Sequence, residues 1–214
     1  MTKEQVRQRI LDVKIVPVVR ASSPEQALGA ADAVRAGGIP IVEVTMTVPG
    51  AIEVIAALSR LMGSDVLIGA GTVLDASTAQ KCLDAGAQFL VSPGFDAETV
   101  ALALRLNVLI MPGSLSPTEV ITAWKAGADF VKIFPCGNVG GPAYIKSLKA
   151  ALPQIPMIPT GGVNLETAAA FLRAGASALG IGGELISKAA LGSGNFAAIA
   201  ESARQFTAIV NQKV

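Results

Sequence analysis

The sequence alternates eight times between short apolar segments and Ala-rich helical segments, and this alternation limits the fold more than any other feature. The apolar segments are rich in Val and Ile and span 14–20, 39–46, 66–73, 88–94, 108–113, 130–135, 157–162 and 178–183. Residues suited to ending a helix stand between each helical segment and the next strand, at Gly37, Gly63, Gly86, Asn107, Gly127, Pro153 and Gly175. Eight strand–helix units in 214 residues predict a single domain, residues 1–214, folded as an α/β (β/α)8 TIM barrel.

The residues before the first strand predict an additional helix. Val6, Ile10 and Val13 share one face at helical spacing over 2–13. The alternative fold is an open, doubly wound sheet, which normally carries a glycine-rich dinucleotide turn after its first strand. This chain has Arg20-Ala-Ser-Ser there, and no G-x-G-x-x-G motif follows any strand, which favours the barrel.

The composition excludes several classes of function. Histidine is absent, which excludes Ser-His-Asp and Cys-His catalysis and every His-ligated metal site. Two cysteines cannot build a disulfide framework and fit a reducing compartment, so we expect a cytoplasmic protein. A net charge of +1 gives no electrostatic signature for nucleic acid or an anionic membrane.

The mean hydropathy of +0.55 does not indicate a membrane protein. The longest uncharged run, 150–165, contains three prolines and is shorter than the roughly 18 residues of a spanning helix. Charged residues throughout the first turns of the chain also argue against a signal peptide.

Polar and conformationally special residues collect at the carboxyl ends of the predicted strands, where (β/α)8 barrels carry their sites. They are Arg20, Glu43, Thr45, Thr47, Thr72, Ser92, Pro93, Pro112, Lys132, Phe134, Thr160, Gly161, Gly162, Gly182 and Gly183. The opposite ends are mostly apolar, so the sequence predicts one functional edge.

Lys132 lies in the middle of the predicted buried strand 130–135. Burial disfavours the charged form of a lysine, so its pKa should fall and its amine should become nucleophilic. The alternative is a structural lysine paired with a carboxylate. Phe134 has the same strand parity and should lie on the same side.

Glu43 interrupts the apolar strand 39–46 in the same way, and Thr45 and Thr47 share its parity. A buried carboxylate beside a buried amine can be an ion pair, or a general acid and base with a raised pKa. Arg20 ends the first strand, where its planar guanidinium could bind a carboxylate or a phosphate. A solvated strand end is the alternative for Arg20.

Two glycine pairs end neighbouring strands, Gly161-Gly162 and Gly182-Gly183. The loops after the last two strands are the usual phosphate site of such barrels, because glycines let backbone N–H groups approach an anion. A short helix predicted over 184–190 would direct its positive end to the same place. The pattern predicts an anion site.

A lysine amine, a carboxylate and an anion site together indicate Schiff-base aldol chemistry. Lys132 would attack a ketone, and loss of water would give an iminium that accepts the electrons of the breaking carbon–carbon bond. Glu43 is the best placed residue to move the protons. The acids at strand ends are too few to hold a metal, so we expect no metal and no cofactor.

Six motifs in chain order cover nearly the whole sequence: Glu43-Val-Thr, Gly69-Ala-Gly-Thr-Val73, Val91-Ser-Pro-Gly94, Val131-Lys-Ile-Phe-Pro135, Pro159-Thr-Gly-Gly162 and Gly180-Ile-Gly-Gly183. They resemble the 2-keto-3-deoxy-6-phosphogluconate (KDPG) aldolases, a family that includes 4-hydroxy-2-oxoglutarate and phosphogalactonate aldolases. The resemblance implies a class I aldolase, normally a homotrimer, that splits a small-molecule keto acid into pyruvate and D-glyceraldehyde 3-phosphate.

The resemblance also implies roles for individual residues. Lys132 would form the Schiff base and Glu43 would be the acid and base. The implied substrate-binding residues are Thr72 for the pyruvate carboxylate, Pro93 and Phe134 as pocket walls, and Gly161, Gly162, Gly182 and Gly183 for the phosphate.

Two positions depart from the family pattern. An arginine is expected four residues after the motif glutamate, where this chain has Thr47, so Arg20 becomes the candidate to bind the carboxylate alongside it. A serine is expected after the second glycine pair, where this chain has Glu184. That carboxylate would repel a phosphate unless it turns outward, so the pyruvate half of the substrate is better supported.

Two other classes of function stay open at this point. A phosphate-binding barrel isomerase or synthase would need no nucleophile at Lys132, and a non-catalytic assembly subunit would need neither Lys132 nor Glu43. Among aldolases, the sequence does not separate KDPG from its galactonate epimer or from 4-hydroxy-2-oxoglutarate.

Overall fold

The computed structural model describes residues 1–63 and 65–212. The strands are β1 Ile15–Val19, β2 Ile41–Thr45, β3 Leu67–Gly71, β4 Phe89–Val91, β5 Leu109–Met111, β6 Gly113–Ser114, β7 Val131–Ile133, β8 Met157–Pro159 and β9 Leu179–Ile181. The helices are α1 Lys3–Val13, α2 Pro24–Ala36, α3 Ala51–Met62, α4 Ala76–Asp84, α5 Ala97–Arg105, α6 Pro117–Lys125, α7 Pro142–Ala151, α8 Ala168–Arg173, α9 Lys188–Ser193 and α10 Phe196–Asn211. A 3-10 turn, Cys136–Val139, follows β7.

The strands pair in parallel and form two sheets. The larger sheet has the order β5-β4-β3-β2-β1-β9, and the smaller has the order β6-β7-β8. A parallel bridge between Thr160 and Gly180 joins the end of β8 to β9. Because all strands run the same way, their carboxyl ends lie at one edge, which is where the polar residues collect.

The single strand predicted over 108–113 is wrong, because the segment forms two strands. Pro112 stands between β5 and β6 and has no N–H to give to a sheet. Its carbonyl still accepts the N–H of Lys132 at 3.0 Å. β5 therefore pairs with β4, and β6 pairs with β7.

The strands are buried against the helices, and most helices end at the residues that the sequence predicts. All residues of β1, β2 and β3 are buried, as parallel strands packed against helices require. Most predicted helix ends are left-handed, at Gly63, Gly86, Asn107, Gly127 and Gly175. Gly37 and Pro153 are the two exceptions. Gly37 has a φ of −81° and the following Gly38 takes the left-handed conformation instead, while α7 ends at Ala151, before Pro153.

Helix α1 lies at the amino-terminal side of the strands. The Thr2 side chain and Gln5 form a reciprocal capping box at its start, and Val6 and Ile10 are buried. Lys3 Nζ lies 2.9 Å from Asp129 Oδ1, just before β7. The helix is thus held at the edge opposite the polar strand ends.

No helix among the described residues is long and apolar enough to cross a membrane.

Candidate active site

Lys132 is held in the middle of β7 between two neighbouring strands. It pairs with Gly113 of β6 and Ile158 of β8, and its side chain is only 4% exposed. Its Nζ lies 5.2 Å from the centre of the Phe134 ring, so the two side chains share one side of the strand, as their parity predicts. Burial lowers the pKa of the Lys132 amine, and the positive charge of Arg20 lowers it further, against the opposing effect of Glu43.

Glu43 is buried at the centre of β2, between Val18 of β1 and Gly69 of β3. A side chain at Gly71 would overlap Glu43 Oε1, so the glycine leaves the space that the carboxylate occupies. Oε1 accepts no hydrogen bond from the described residues. Burial raises the pKa of Glu43, and the charges of Lys132 and Arg20 oppose that rise.

Lys132 and Glu43 interact electrostatically without forming an ion pair. Within residues 1–63 and 65–212, neither takes part in a nitrogen–oxygen contact of 4.0 Å or less. The alternative of a structural lysine paired with a carboxylate is therefore not what the structure shows. Two buried titratable groups with pKa values shifted by burial are typical of acid–base sites.

Arg20 and Thr47 meet at the end of β1 and β2. Thr45 Oγ1 donates to the carbonyl of Val19 at 2.9 Å, and Thr47 Oγ1 lies 2.6 Å from Thr45 Oγ1. This chain of hydrogen bonds holds Thr47 beside the start of the Arg20 loop. Both residues line a cleft of about 500 Å³ together with Lys188, Ser22, Ala21, Leu191 and Gly192.

The two glycine pairs line a second, smaller cleft of about 190 Å³. We call it the glycine cleft; its walls are Arg20, Phe134, Thr160, Gly161, Gly162, Val163, Gly180, Gly182, Gly183 and Glu184. Gly161 and Gly162 have φ of +86° and +78°, which favours glycine at both positions. A Cβ on Gly162 would lie 2.7 Å from Gly137 Cα, so the backbones pack directly on each other.

Glu184 lines the glycine cleft, and the helix predicted over 184–190 is wrong. The N–H groups of Leu185 and Ile186 both bond to the Gly182 carbonyl in a turn, and α9 begins only at Lys188. Ser187 is the reason for the later start, because its hydroxyl accepts the Ala190 N–H as an N-cap. The positive end of this helix therefore lies beyond the glycine pair rather than at it.

Thr72 and Pro93 follow β3 and β4 and line neither cleft. Thr72 has a φ of 58°, which is costly for a β-branched residue. Pro93 is half-buried, and a side chain on Gly113 would overlap its carbonyl. The structure thus places Arg20 beside Phe134 and the two glycine pairs in the glycine cleft, and beside Thr47 in the larger cleft.

Sequence analysis did not single out Lys188. The sequence signal that could have indicated its position is Ser187, which precedes Lys188 and caps α9. The helix predicted over 184–190 instead places Ser187 in a helix interior. For metals, the described part of the chain holds no group of three His, Cys, Asp or Glu side chains placed to bind an ion.

The fold defines a class of α/β protein with parallel strands that known structures share. A KDPG aldolase from Legionella pneumophila, solved with pyruvate captured as a covalent carbinolamine intermediate, superposes with a TM-score of 0.86 at 30% identity. The match covers 94% of this chain and 97% of that one. A thiamine phosphate pyrophosphorylase from Pyrococcus furiosus shares the fold alone, with a TM-score of 0.74 at 16% identity.

Sequence comparison gives the particular family. The family model for KDPG and KHG aldolases matches residues 6–202, and the chain belongs to that family. A 2-dehydro-3-deoxy-phosphogluconate aldolase of Treponema pallidum is 38% identical over 92% of this chain and 94% of its own length. A 2-dehydro-3-deoxy-6-phosphogalactonate aldolase of Escherichia coli is 36% identical over 80% of this chain and 83% of its own length.

Replacing Thr72 by glycine should stabilise the fold. Glycine adopts a φ of 58° without the strain that threonine has there. Because glycine also loses more conformational entropy on folding, we expect the free energy of unfolding to rise by about 0.5–1 kcal/mol. Denaturant unfolding measures the change. Thr72→Val is the matched control, since it retains the β-branched side chain and should give no gain; equal gains in both variants would contradict the strain.

Arg20→Met should shift the pH dependence of amine reactivity. Arg20 lowers the pKa of Lys132, so removing its charge raises that pKa and the neutral amine appears only at higher pH. The midpoint of the rate of pyruvate adduct formation against pH should therefore move upward. Arg35→Met on the outer helix α2 serves as control and should leave the midpoint in place. A downward shift in Arg20→Met would refute this electrostatic coupling.

Proposed function

We propose that the protein is a class I aldolase that cleaves KDPG to pyruvate and D-glyceraldehyde 3-phosphate. The single observation that supports this most is the burial of Lys132 and Glu43 at one site without an ion pair between them. Family membership supports the same chemistry, since relatives are named 2-dehydro-3-deoxy-phosphogluconate aldolases.

In the proposed mechanism, the neutral Lys132 amine attacks the C2 ketone and forms a carbinolamine. Protonated Glu43 donates to the departing hydroxyl, and loss of water leaves an iminium. The resulting Glu43 carboxylate accepts the C4 hydroxyl proton as the C3–C4 bond breaks, and the electron pair of that bond moves into the iminium. The aldehyde leaves, and the enamine remains on Lys132.

The second half of the reaction returns the enzyme to its starting state. Glu43 gives its proton to C3 of the enamine and becomes a carboxylate. Water then adds to the new iminium, and its hydrolysis releases pyruvate and the neutral Lys132 amine while the proton set free returns to Glu43. Burial serves both residues, because it lowers the pKa of Lys132 and raises that of Glu43. The amine is thus more often neutral, and the carboxyl is more often protonated, than either would be in water.

The remaining predicted residues are assigned to substrate binding. We assign Arg20, Thr47 and Thr72 to the pyruvate carboxylate, and Pro93 and Phe134 to the pocket walls. The N–H groups of Gly161, Gly162, Gly182 and Gly183 are assigned to the phosphate. Two observations support the role of Arg20 in carboxylate binding. Arg20 lines both clefts. Among the described residues, no carboxylate lies within 4.0 Å of it to neutralise its charge.

A second candidate substrate is 4-hydroxy-2-oxoglutarate. Glu184 in the wall of the glycine cleft favours it, because a carboxylate there opposes a phosphate. The 2-keto-3-deoxy-6-phosphogalactonate epimer is the third candidate, supported by the relative of that name. All three substrates share the Lys132 and Glu43 chemistry.

We also infer that the two sheets close into one (β/α)8 barrel, a single domain with α1 as an additional helix. The Thr160–Gly180 bridge supports closure on one side, and the single residue Pro112 between β5 and β6 supports it on the other. The homotrimer and the cytoplasmic location stay predictions.

Borohydride reduction in the presence of pyruvate should trap a covalent adduct on Lys132. Peptide mass mapping locates it, and Lys132→Ala should abolish it because no other lysine among the described residues is buried. Lys146→Ala, an exposed lysine of α7, is the control and should trap as the parent does. An adduct that maps to Lys14 or Lys146 would overturn the assignment.

Glu43→Gln should keep its fold and lose turnover of KDPG by about 10²- to 10⁴-fold, the usual contribution of acid–base catalysis. Circular dichroism checks the fold, and a coupled assay for pyruvate measures turnover. EDTA treatment of the parent should change nothing, since the mechanism uses no metal. A variant that retains activity within a few-fold of the parent would remove Glu43 from the mechanism.

A further inference from the structure

The carboxylate of Asp129 joins three elements at the edge of the strands opposite the proposed active site. Its Oδ2 accepts the N–H of Ile110 in β5 at 3.0 Å, and the Asp129 N–H donates to the Ile110 carbonyl at 3.2 Å. Its Oδ1 lies 2.9 Å from Lys3 Nζ at the start of α1. We call these three contacts the Asp129 clasp. The Asp129 and Lys3 side chains are 11% and 20% exposed, so their ion pair is largely shielded from water.

The Asp129 clasp lies where the pairing between the two sheets is interrupted. β5 pairs with β4 and β6 pairs with β7, so β5 and β7 form no ladder with each other among the described residues. The N–H and the carbonyl of Ile110 both bond to Asp129 instead. A buried N–H without an acceptor is costly, so the Asp129 carboxylate holds the start of β7 against β5.

The Asp129 clasp restrains the short stretch of chain that carries Lys132. Phe130 and Val131 are the two residues between Asp129 and Lys132, and both are fully buried. The Lys132 N–H donates to the Pro112 carbonyl at 3.0 Å. The chain from 129 to 132 is therefore attached to 110–112 at both of its ends. Because a close-packed interior transmits displacements, a shift at Asp129 moves the backbone of Lys132.

Helix α1 contacts the same stretch a second time. The guanidinium carbon of Arg7 lies 5.8 Å from the centre of the Phe130 ring. Lys3 and Arg7 are four residues apart and share one face of the helix. Lys3 precedes residues 6–202, the part of the chain that matches the family model, so family membership does not by itself imply its ion pair.

We infer that Asp129 is a positioning residue for the reaction, which acts through β7 to place the Lys132 amine relative to Glu43 and Arg20. Within the described parts of the chain, Lys132 and Glu43 form no nitrogen–oxygen contact of 4.0 Å or less. Their separation is therefore determined by the strands rather than by a bond between the side chains. The inference rests on the proposed aldolase function and adds a residue outside the site to it.

Gln88 offers a matched control, because it makes the same backbone contacts at another pair of strands. Its Oε1 accepts the Ile68 N–H at 3.2 Å, and its own N–H donates to the Ile68 carbonyl at 2.7 Å. It joins β3 to β4, and neither strand carries a proposed reacting residue. Asp129→Ala and Gln88→Ala each remove the acceptor of a strand N–H, so both variants should unfold at a lower temperature.

The first test compares turnover of KDPG in Asp129→Ala and Asp129→Asn. Alanine removes the acceptor of the Ile110 N–H, whereas asparagine keeps an oxygen there and removes only the charge. Because a misplacement of about 1 Å can cost about 100-fold, Asp129→Ala should lower kcat by about 10- to 100-fold and change KM by less than about two-fold. Asp129→Asn should recover most of kcat, and Gln88→Ala should keep the kcat of the parent.

The second test is the pH dependence of pyruvate adduct formation, which separates positioning from charge. Burial is the main cause of the lowered pKa of Lys132; Arg20 lowers it further and Glu43 opposes the shift. Removing a negative charge at Asp129 would by itself lower that pKa and move the midpoint of adduct formation downward. A displaced β7 would admit water to the amine, raise its pKa and move the midpoint upward. We expect an upward shift in Asp129→Ala and none in Asp129→Asn.

Asp129→Ser decides the inference if Asp129→Ala does not fold. Its hydroxyl is one atom shorter than the carboxylate, so it should give the same upward shift with a smaller loss of kcat.

Several results would overturn the positioning role and leave Asp129 to stability alone. They are a parent-like kcat and midpoint in the folded alanine or serine variant, a downward shift of the midpoint, a loss in Asp129→Asn as large as in Asp129→Ala, and an equal loss in Gln88→Ala. Failure of the parent protein to form a borohydride-trapped pyruvate adduct would refute the aldolase function instead, which separates the two failures.

Discussion

Removing one amine and one carboxyl group from water is the physical constraint on which this site depends. Desolvation disfavours the ammonium of Lys132 and the carboxylate of Glu43, and it shifts their pKa values in opposite directions. A close ion pair would cancel much of that effect, and the two residues do not form one. The strands hold them near enough for their charges to interact and far enough apart for both to stay reactive.

The strands can hold these groups only because neighbouring positions carry no side chain. Gly71 leaves room for the Glu43 carboxylate, and Gly69 leaves room for the Phe89 ring beneath it. Gly180 does the same for Thr160. Since a Cβ at any of these positions would overlap its neighbour, the small residues of the strands determine how the interior of the sheet is filled.

Charge is distributed unequally around the two buried groups. Arg20 lines two clefts, one that Glu184 also lines and one that Lys188 also lines. Thr47 lines the cleft that Lys188 also lines, in the position where the family pattern has an arginine.

The sequence by itself predicts several features of this protein. They are the alternation of strands and helices, the polar strand ends, the burial of Lys132 and Glu43, and the family. These features are local, because residue parity and helix periodicity depend on neighbours along the chain. Only the tertiary structure decided that Lys132 and Glu43 do not pair, and that Lys188 shares a cleft with Arg20. Those relations join segments distant in sequence, and they depend on strand register and on competing caps and turns, whose outcome packing determines.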